Sequence, residues 1–325
     1  MTTRVSQKAQ PSAKLPVSDY ICGSLYGLAY VSIWVSWIVT ARFGLRTSLT
    51  PWDITAIRFV VAGLILLPYL LKNGLAADRL GVLGIAAIVV GNGAPAILLG
   101  YAGLLFAPAA HAASLLTALI PLPVAILAAV VLGEAFTVAK RMGLAAIVTG
   151  AVLIVWGAGG TIGSRQNIGH ALFITTATLC ACYTVAVRKS KLGGLHAAAI
   201  SAVGSLIIYV PVYAMIFGTS LFNAPWPDVA LQAFVQGLMT AVVSTCLYVR
   251  AVSILGASNG SAFAALAPAM TALVAIPLLG EWPGTSDWIA IILISAGVYI
   301  ASGAPLPARW AGHGSLSRRT ASHKP

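Results

Sequence analysis

The sequence predicts an all-α integral membrane protein, with ten transmembrane helices arranged as two inverted five-helix repeats. Three observations carry this. Of 325 residues, 59% are hydrophobic and only 8% charged, against about 25% charged in an average soluble domain, so the chain lacks the polar surface that water demands. Apolar runs of roughly 20 residues, the length of a bilayer span, recur along the chain, and in lipid a helix of that length satisfies its own backbone polar groups. Finally, one fixed offset lays the second half over the first, pairing Glu134 with Glu281 and LIPLPVAILAAVVLGE (119–134) with LAPAMTALVAIPLLGE (266–281).

Span one (20–42) carries Tyr26, Tyr30 and Trp34 at four-residue steps, hence on one helix face. Tyr30 falls near mid-span, where its hydroxyl needs a partner, so the face reads either as a cavity wall or as an aromatic stripe of the membrane interface. Span two (51–71) contains Arg58, about seven residues in and so roughly 10 Å deep. An arginine at that depth costs several kcal/mol unless it is paired, snorkels or meets water. It must face the bundle interior, either as a clamp to helix ends or to Glu281, or as a counter-charge for a substrate carboxylate. Span three (80–106) is interrupted by GNGAP at 91–95, where Pro95 removes a backbone hydrogen bond and Asn92 sits close to the midplane. Asn92 is either a ligand group or a buried amide bonding to a neighbouring helix. Span four (108–132) has His111, Ser114, Ala118 and Pro121 at three- and four-residue steps, a small polar stripe that reads as substrate lining or as tight helix packing; His111 is also a titratable candidate, for coupling or for packing. Span five (142–160) holds Gly143 and Gly150.

Span six (168–187) offers Thr175, Thr178 and Tyr183, and span seven (196–218) has Ser205 where the repeat matches Arg58. Span eight (228–249) carries Gln236, Thr240 and Ser244 at four-residue steps, and span nine (257–280) repeats the stripe of span four as Ser258, Ser261, Ala265 and Pro268. Span ten (285–303) closes the second half. Spans four and nine each end in Leu-Gly-Glu, which places Glu134 and Glu281 at helix ends as capping or gating groups. Short connections lead to the expectation that consecutive spans are antiparallel neighbours.

The net charge of +12 reads as topology. With the N-terminus in the cytosol, Arg4, Lys8, Lys14, Lys72, Arg79, Lys140, Arg141, Arg188, Lys189, Lys191, Arg250, Arg309, Arg318, Arg319 and Lys324 lie inside, and only Arg42, Arg46 and Arg165 lie outside. The positive-inside rule therefore puts both termini in the cytosol, consistent with a bacterial inner membrane. The divisions are a cytosolic tail at 1–19, repeats at 20–160 and 168–303, and a basic cytosolic tail at 304–325. Five spans per repeat force the two copies to run in opposite directions, the architecture of many secondary transporters.

The paired P-x12-E segments (Pro121 to Glu134, Pro268 to Glu281), the G-x6-G of Gly143 and Gly150, and PWDITAIRFV at 51–60 resemble the drug/metabolite transporter superfamily in its ten-span form with two EamA domains. The resemblance spans 20–303 and implies a permease, with direction, an exporter, resting on it alone. Two positions depart from symmetry: Ser205 replaces a second Arg58, and Ala290 replaces a second Gly143.

The residues exclude other classes. There is no HExxH, G-x-S-x-G, G-x4-G-K-[ST] or Cys/His ligand pattern, so neither an enzyme, nor a metal site, nor any cofactor is expected. Cys22, Cys180, Cys182 and Cys246 lie within apolar runs and form no disulfide framework. The substrate-binding candidates are Tyr26, Tyr30, Trp34, Asn92, His111, Ser114, Gln236, Thr240, Ser244 and Ser261; the structural or gating candidates are Arg58, Pro121, Glu134, Pro268 and Glu281. Hydroxyls, amides and rings suit a neutral or zwitterionic metabolite such as an amino acid. The expected partners are that small molecule and the lipid bilayer, with no nucleic acid and homodimerisation left open. The alternative is a flippase for a lipid-linked intermediate or a non-transporting subunit, which an alkyl-lined, sideways-opening cavity would favour.

Overall fold

The computed structural model describes residues 16–157, 164–218 and 220–303, without the side chains of 220, 222, 257, 258 and 261. The expected tails, other than residues 16–19, and the side-chain role of Ser261 fall outside the described residues. Among the described residues, eight helices are long and apolar enough to cross a membrane: α1 Val17–Arg46, α2 Pro51–Asn73, α3 Ala77–Gly103, α4 Ala109–Leu132, α5 Val138–Gly157, α6 Arg165–Ser190, α7 Gly194–Phe217 and α8 Trp226–Leu255. Two shorter apolar helices, α9 Phe263–Leu279 and α10 Thr285–Ala301, complete the second repeat. The chain is an integral membrane protein with an all-α fold of two inverted five-helix repeats.

Burial runs opposite to that of a water-soluble protein. Val82, Leu83, Val130 and Met215 are exposed at 87, 86, 79 and 78%, while Arg58, His111, His170, Gln232, Gln236 and Thr240 are buried. Apolar side chains facing outward need lipid around them, and polar ones turned inward need one another.

Helix ends follow from local chemistry. Thr50 caps α2 through a reciprocal box, accepting the Asp53 amide at 3.3 Å while Asp53 accepts the Thr50 amide at 2.8 Å, with Pro51 preset for the first turn. The two Leu-Gly-Glu ends are superimposable in conformation: Gly133 has φ 68° and ψ 24°, Gly280 has φ 65° and ψ 23°. In each, the amide of the following Glu reaches back 3.3 Å, from Glu134 to the Ala128 carbonyl and from Glu281 to that of Ala275. The left-handed step is one that glycine takes without steric penalty, and it turns each glutamate out of the helix.

Consecutive spans, expected as antiparallel neighbours, do touch but are not the main contacts. The most extensive packing crosses between the halves, α5 on α10, α2 on α7, α3 on α6 and α1 on α8, while α1 touches α2, and α4 touches α5, only slightly. Small residues cause this. A Cβ on Gly143 would lie 2.6 Å from the Gly297 carbonyl oxygen, and one on Gly297 2.7 Å from the Gly143 carbonyl oxygen, so the G-x6-G of α5 exists to let α10 approach. Among the described residues, three helices are irregular near their middles and one at its start. α3 breaks at Gly93, α4 passes through a π turn at Ala113–Thr117 and restarts at Pro121, α8 is π-helical over Ala233–Val243, and α9 begins as a 3₁₀ turn before Ala267 and Pro268.

Candidate functional site

Arg58 is the most demanding side chain in the bundle. It is 7% exposed, and its Nε and Nη1 have no hydrogen-bond acceptor among the described residues. Its Cζ stands 6.0 Å from the Trp37 ring centre and 5.9 Å from that of Phe59, within reach of a cation–π attraction that offsets part of the desolvation. The sequence reading of Arg58 as a partner of Glu281 is corrected, because Glu281 is occupied by Arg42 and Arg46. Those two lie on α1 at the same end of the bundle, one turn apart, and reach the carboxylate without entering the interior.

Around Arg58 the surrounding polar groups are already satisfied by one another. Trp37 Nε1 donates to the Tyr101 hydroxyl at 3.0 Å, which donates to Gln236 Oε1 at 2.9 Å. Gln236 Nε2 donates to the Trp37 carbonyl at 3.0 Å and to Gln232 Oε1 at 3.1 Å, and Gln232 Nε2 donates to the Thr40 carbonyl at 2.8 Å. A closed network of this kind holds its members in one geometry, and Arg58 Nε and Nη1 find no acceptor in it. The site therefore presents a fixed aromatic and amide frame with unsatisfied cationic donors, a combination that fits an anionic group such as a carboxylate.

The aromatic face of α1 leads to this centre. Ring centres step from Tyr30 to Trp34 at 5.9 Å, Trp34 to Trp37 at 5.9 Å and Trp37 to Tyr101 at 6.1 Å, and Tyr30 also meets Tyr248 at 5.0 Å. Tyr101 and Tyr248 are the repeat-matched pair, so one from each half packs against the same helix. Tyr26 lies one turn earlier and is partly buried. On α6, the counterpart of α1, Ala177 and Ala181 occupy the positions of Tyr30 and Trp34 and are fully buried. Of the three aromatic positions, only that of Tyr26 keeps a ring on α6, as the buried Phe173.

Other sequence candidates lie elsewhere or are engaged. Asn92 Nδ2 is 3.5 Å from Ser201 Oγ on α7, and Ser205 Oγ accepts the Ala94 amide at 2.8 Å. The break in α3 is therefore held by α7, and the residue matching Arg58 serves as its backbone acceptor. Ser114 donates to the Ala110 carbonyl at 2.9 Å, Thr240 to that of Val235 at 2.7 Å and Ser244 to that of Thr240, stitching the irregular turns of α4 and α8. Pro121 and Pro268 stand at the restarts of α4 and α9. His111 belongs to a second cluster, with His170 and Asp287, at the Glu281 end.

Glu134 and Glu281 hold opposite ends. Glu281 accepts from Arg42 Nε at 2.8 Å, from Arg46, and from the Ala109 amide at 2.8 Å, joining α9, α1 and α4. Glu134 accepts from Arg188 of α6 and lies 4.0 Å from Lys140. The first is 11% exposed and the second 31%.

A family model described as the EamA-like transporter family matches residues 21–156 and again 167–303. The chain belongs to the EamA-like transporter family. No curated protein sequence gives a significant match. One solved structure, described only as the crystal structure of a protein, superposes with a TM-score of 0.56 at 21% identity over 86% of this chain and 96% of that one; at such identity the likeness concerns the fold. Trp37, Tyr101, Gln232, His170 and Asp287 escaped the sequence reading. For Trp37 a signal existed, since it continues the face of Trp34 by one further turn.

Proposed function

We propose that this EamA-family transporter is a secondary exporter of small zwitterionic metabolites, of which amino acids are the model class, working by alternating access between its two repeats. The observation that carries the substrate class is Arg58, buried with two unpaired donors beside Trp37. A carboxylate bound there would receive charge-assisted hydrogen bonds in a water-poor setting, while the Tyr30 and Trp34 rings would cover the remainder of the molecule. The polar and aromatic character of this frame disfavours a lipid-linked cargo. Export direction follows the family resemblance. The distribution of Lys and Arg supports cytosolic termini, and with them a bacterial inner-membrane setting in which the Glu281 end is outermost.

The test is efflux from proteoliposomes loaded with a mixture of amino acids and their decarboxylated amines, with solutes quantified by mass spectrometry. Loss of the amino acids with retention of the matching amines is expected. Retention of every solute, or equal loss of acid and amine, would overturn the reading.

A further inference from the structure

A second buried polar cluster lies where α4 of the first repeat meets α6 and α10 of the second. His111 Nε2 is 3.3 Å from Asp287 Oδ1, His111 Nδ1 is 3.0 Å from His170 Nε2, and Gln166 Nε2 approaches the same Nδ1 at 3.3 Å. The Gly284 amide donates to Asp287 Oδ2 at 2.9 Å. His111 and His170 are 3 and 2% exposed, and His170 Nδ1 is buried with no hydrogen-bond partner among the described residues. We infer that Asp287, His111 and His170 form a binding site for one proton, and that its occupancy holds the two repeats together at the Glu281 end.

Hydrogen-bond bookkeeping fixes the proton-free arrangement. An ionised Asp287 only accepts, so His111 carries its proton on Nε2 and donates it to the carboxylate. The Nδ1 of a neutral His111 then accepts from His170 Nε2–H at 3.0 Å, its single lone pair shared with the more distant Gln166 amide at 3.3 Å. One position stays vacant, Nδ1 of His170, the atom left without a partner. A proton arriving there forms an N–H bond; the Nε2–H bond of His170 breaks as its proton passes to His111 Nδ1, and the positive charge ends on His111 beside Asp287. The net charge of the cluster goes from minus one to zero. Without the proton, the partly buried Asp287 carboxylate, 17% exposed, faces only neutral donors at the joint between the repeats; with it, the Asp287–His111 contact becomes an ion pair across the joint, which favours the closed arrangement.

The charged groups on the surrounding helices leave this work to the cluster. Glu281 of α9 is taken up by Arg42 and Arg46 of α1, and the Arg165 guanidinium of α6 lies 5.9 Å from the Phe106 ring centre. Among the described residues no group of His, Cys, Asp or Glu is arranged to hold a metal ion, so the fitting ligand is a proton. The repeat also places Ser258, Gly23 and Lys140 opposite His111, His170 and Asp287. No acid and no histidine stands there, so the device exists at one end alone, and proton occupancy biases the two ends differently. The inference rests on the alternating-access reading only for what opening that end accomplishes.

Hydrogen exchange of the full chain in lipid nanodiscs, without any cargo, tests it. After correction for intrinsic rates, raising the pH from about 5.5 to about 8 should speed exchange in 108–118 and 282–290 by about fivefold or more, with less than about twofold change at 133–141. Asp287→Asn should abolish the pH dependence. Wild-type exchange that ignores pH, or a dependence that survives Asp287→Asn, would overturn the proposal. A measurement on the wild type alone guards against a variant that does not fold. The ¹⁵N ring signals of the two histidines, identified by scalar coupling across their N–H···N bond, should report a single proton shared by the pair over this range. No uptake, or two protons taken up independently, would sink it. Neither readout requires transport, so both stand even if the cargo assignment fails.

Discussion

At Arg58 stability and function pull in opposite directions. Its buried Nε and Nη1 lack acceptors, so the folded protein carries a desolvation penalty that an isosteric apolar side chain would not. Arg58→Met should therefore leave thermal stability in detergent unchanged or raise it, while weakening binding of a carboxylate cargo by about 10- to 100-fold, the worth of one charge-assisted hydrogen bond of about 1.5–3 kcal/mol. A melting temperature that falls while cargo affinity holds would reassign Arg58 to a structural role. Gln236 differs because its partners are all in place. Gln236→Leu should cost about 1–3 kcal/mol, since it strands the Tyr101 hydroxyl and the Gln232 carbonyl oxygen, and should appear as a lower melting temperature before any change in cargo selectivity. Arg58 could be picked out in the sequence because a charge inside an apolar run is conspicuous. The partners of Glu281 could not, since Arg42 and Arg46 at a helix end read as topology signals, and only the fold shows which guanidinium reaches which carboxylate.

At the scale of a helix, the repeat is expressed most closely in how α4 and α9 end. Gly133 and Gly280 share a left-handed conformation within a few degrees, and a Cβ added at either would meet nothing within 4 Å. Substitution there is thus a pure test of backbone conformation: Gly133→Ala and Gly280→Ala should each cost about 1–2 kcal/mol, equal within error when thermal unfolding of the two is compared. A neutral result at one would show that its left-handed step is not required by the fold. Gly143 is the opposite case, because a side chain would strike the Gly297 carbonyl and the Ala301 amide at 2.6 Å. The Leu-Gly-Glu ends, the proline restarts and the G-x6-G spacing were legible in the sequence because each is a local requirement of the backbone. Which helix meets which was not. Short connections argued for chain neighbours, yet close-approach glycines on α5 and α10 made cross-repeat pairs the stronger contacts. Beyond His111 itself the second cluster was hidden: its members lie on three helices, with His170 in the second turn of α6 and Asp287 in the first turn of α10.

For the whole molecule, the two glutamate clamps make the inverted repeat mechanically unequal. Alternating access requires one end to hold while the other yields, and ligands shift that balance only by differential affinity. The Glu281 clamp joins three helices through two arginines and a backbone amide, largely out of water. The Glu134 clamp relies on one arginine and a distant lysine at a more exposed position. Exposed pairs contribute about 0–1 kcal/mol, whereas breaking a buried pair costs about 3–5 kcal/mol. Glu281→Gln should therefore raise the population open at its own end by more than about tenfold, and Glu134→Gln should change the population open at the other end by less than about fivefold. Exchange rates at 104–109 and 133–138, followed in the same nanodisc preparations, measure both. Comparable opening in the two variants would mean that the halves are balanced and that the asymmetry lies elsewhere. The expected inequality would mean that this chain rests closed at the Glu281 end, with Arg58 and the aromatic face of α1 served from the opposite one.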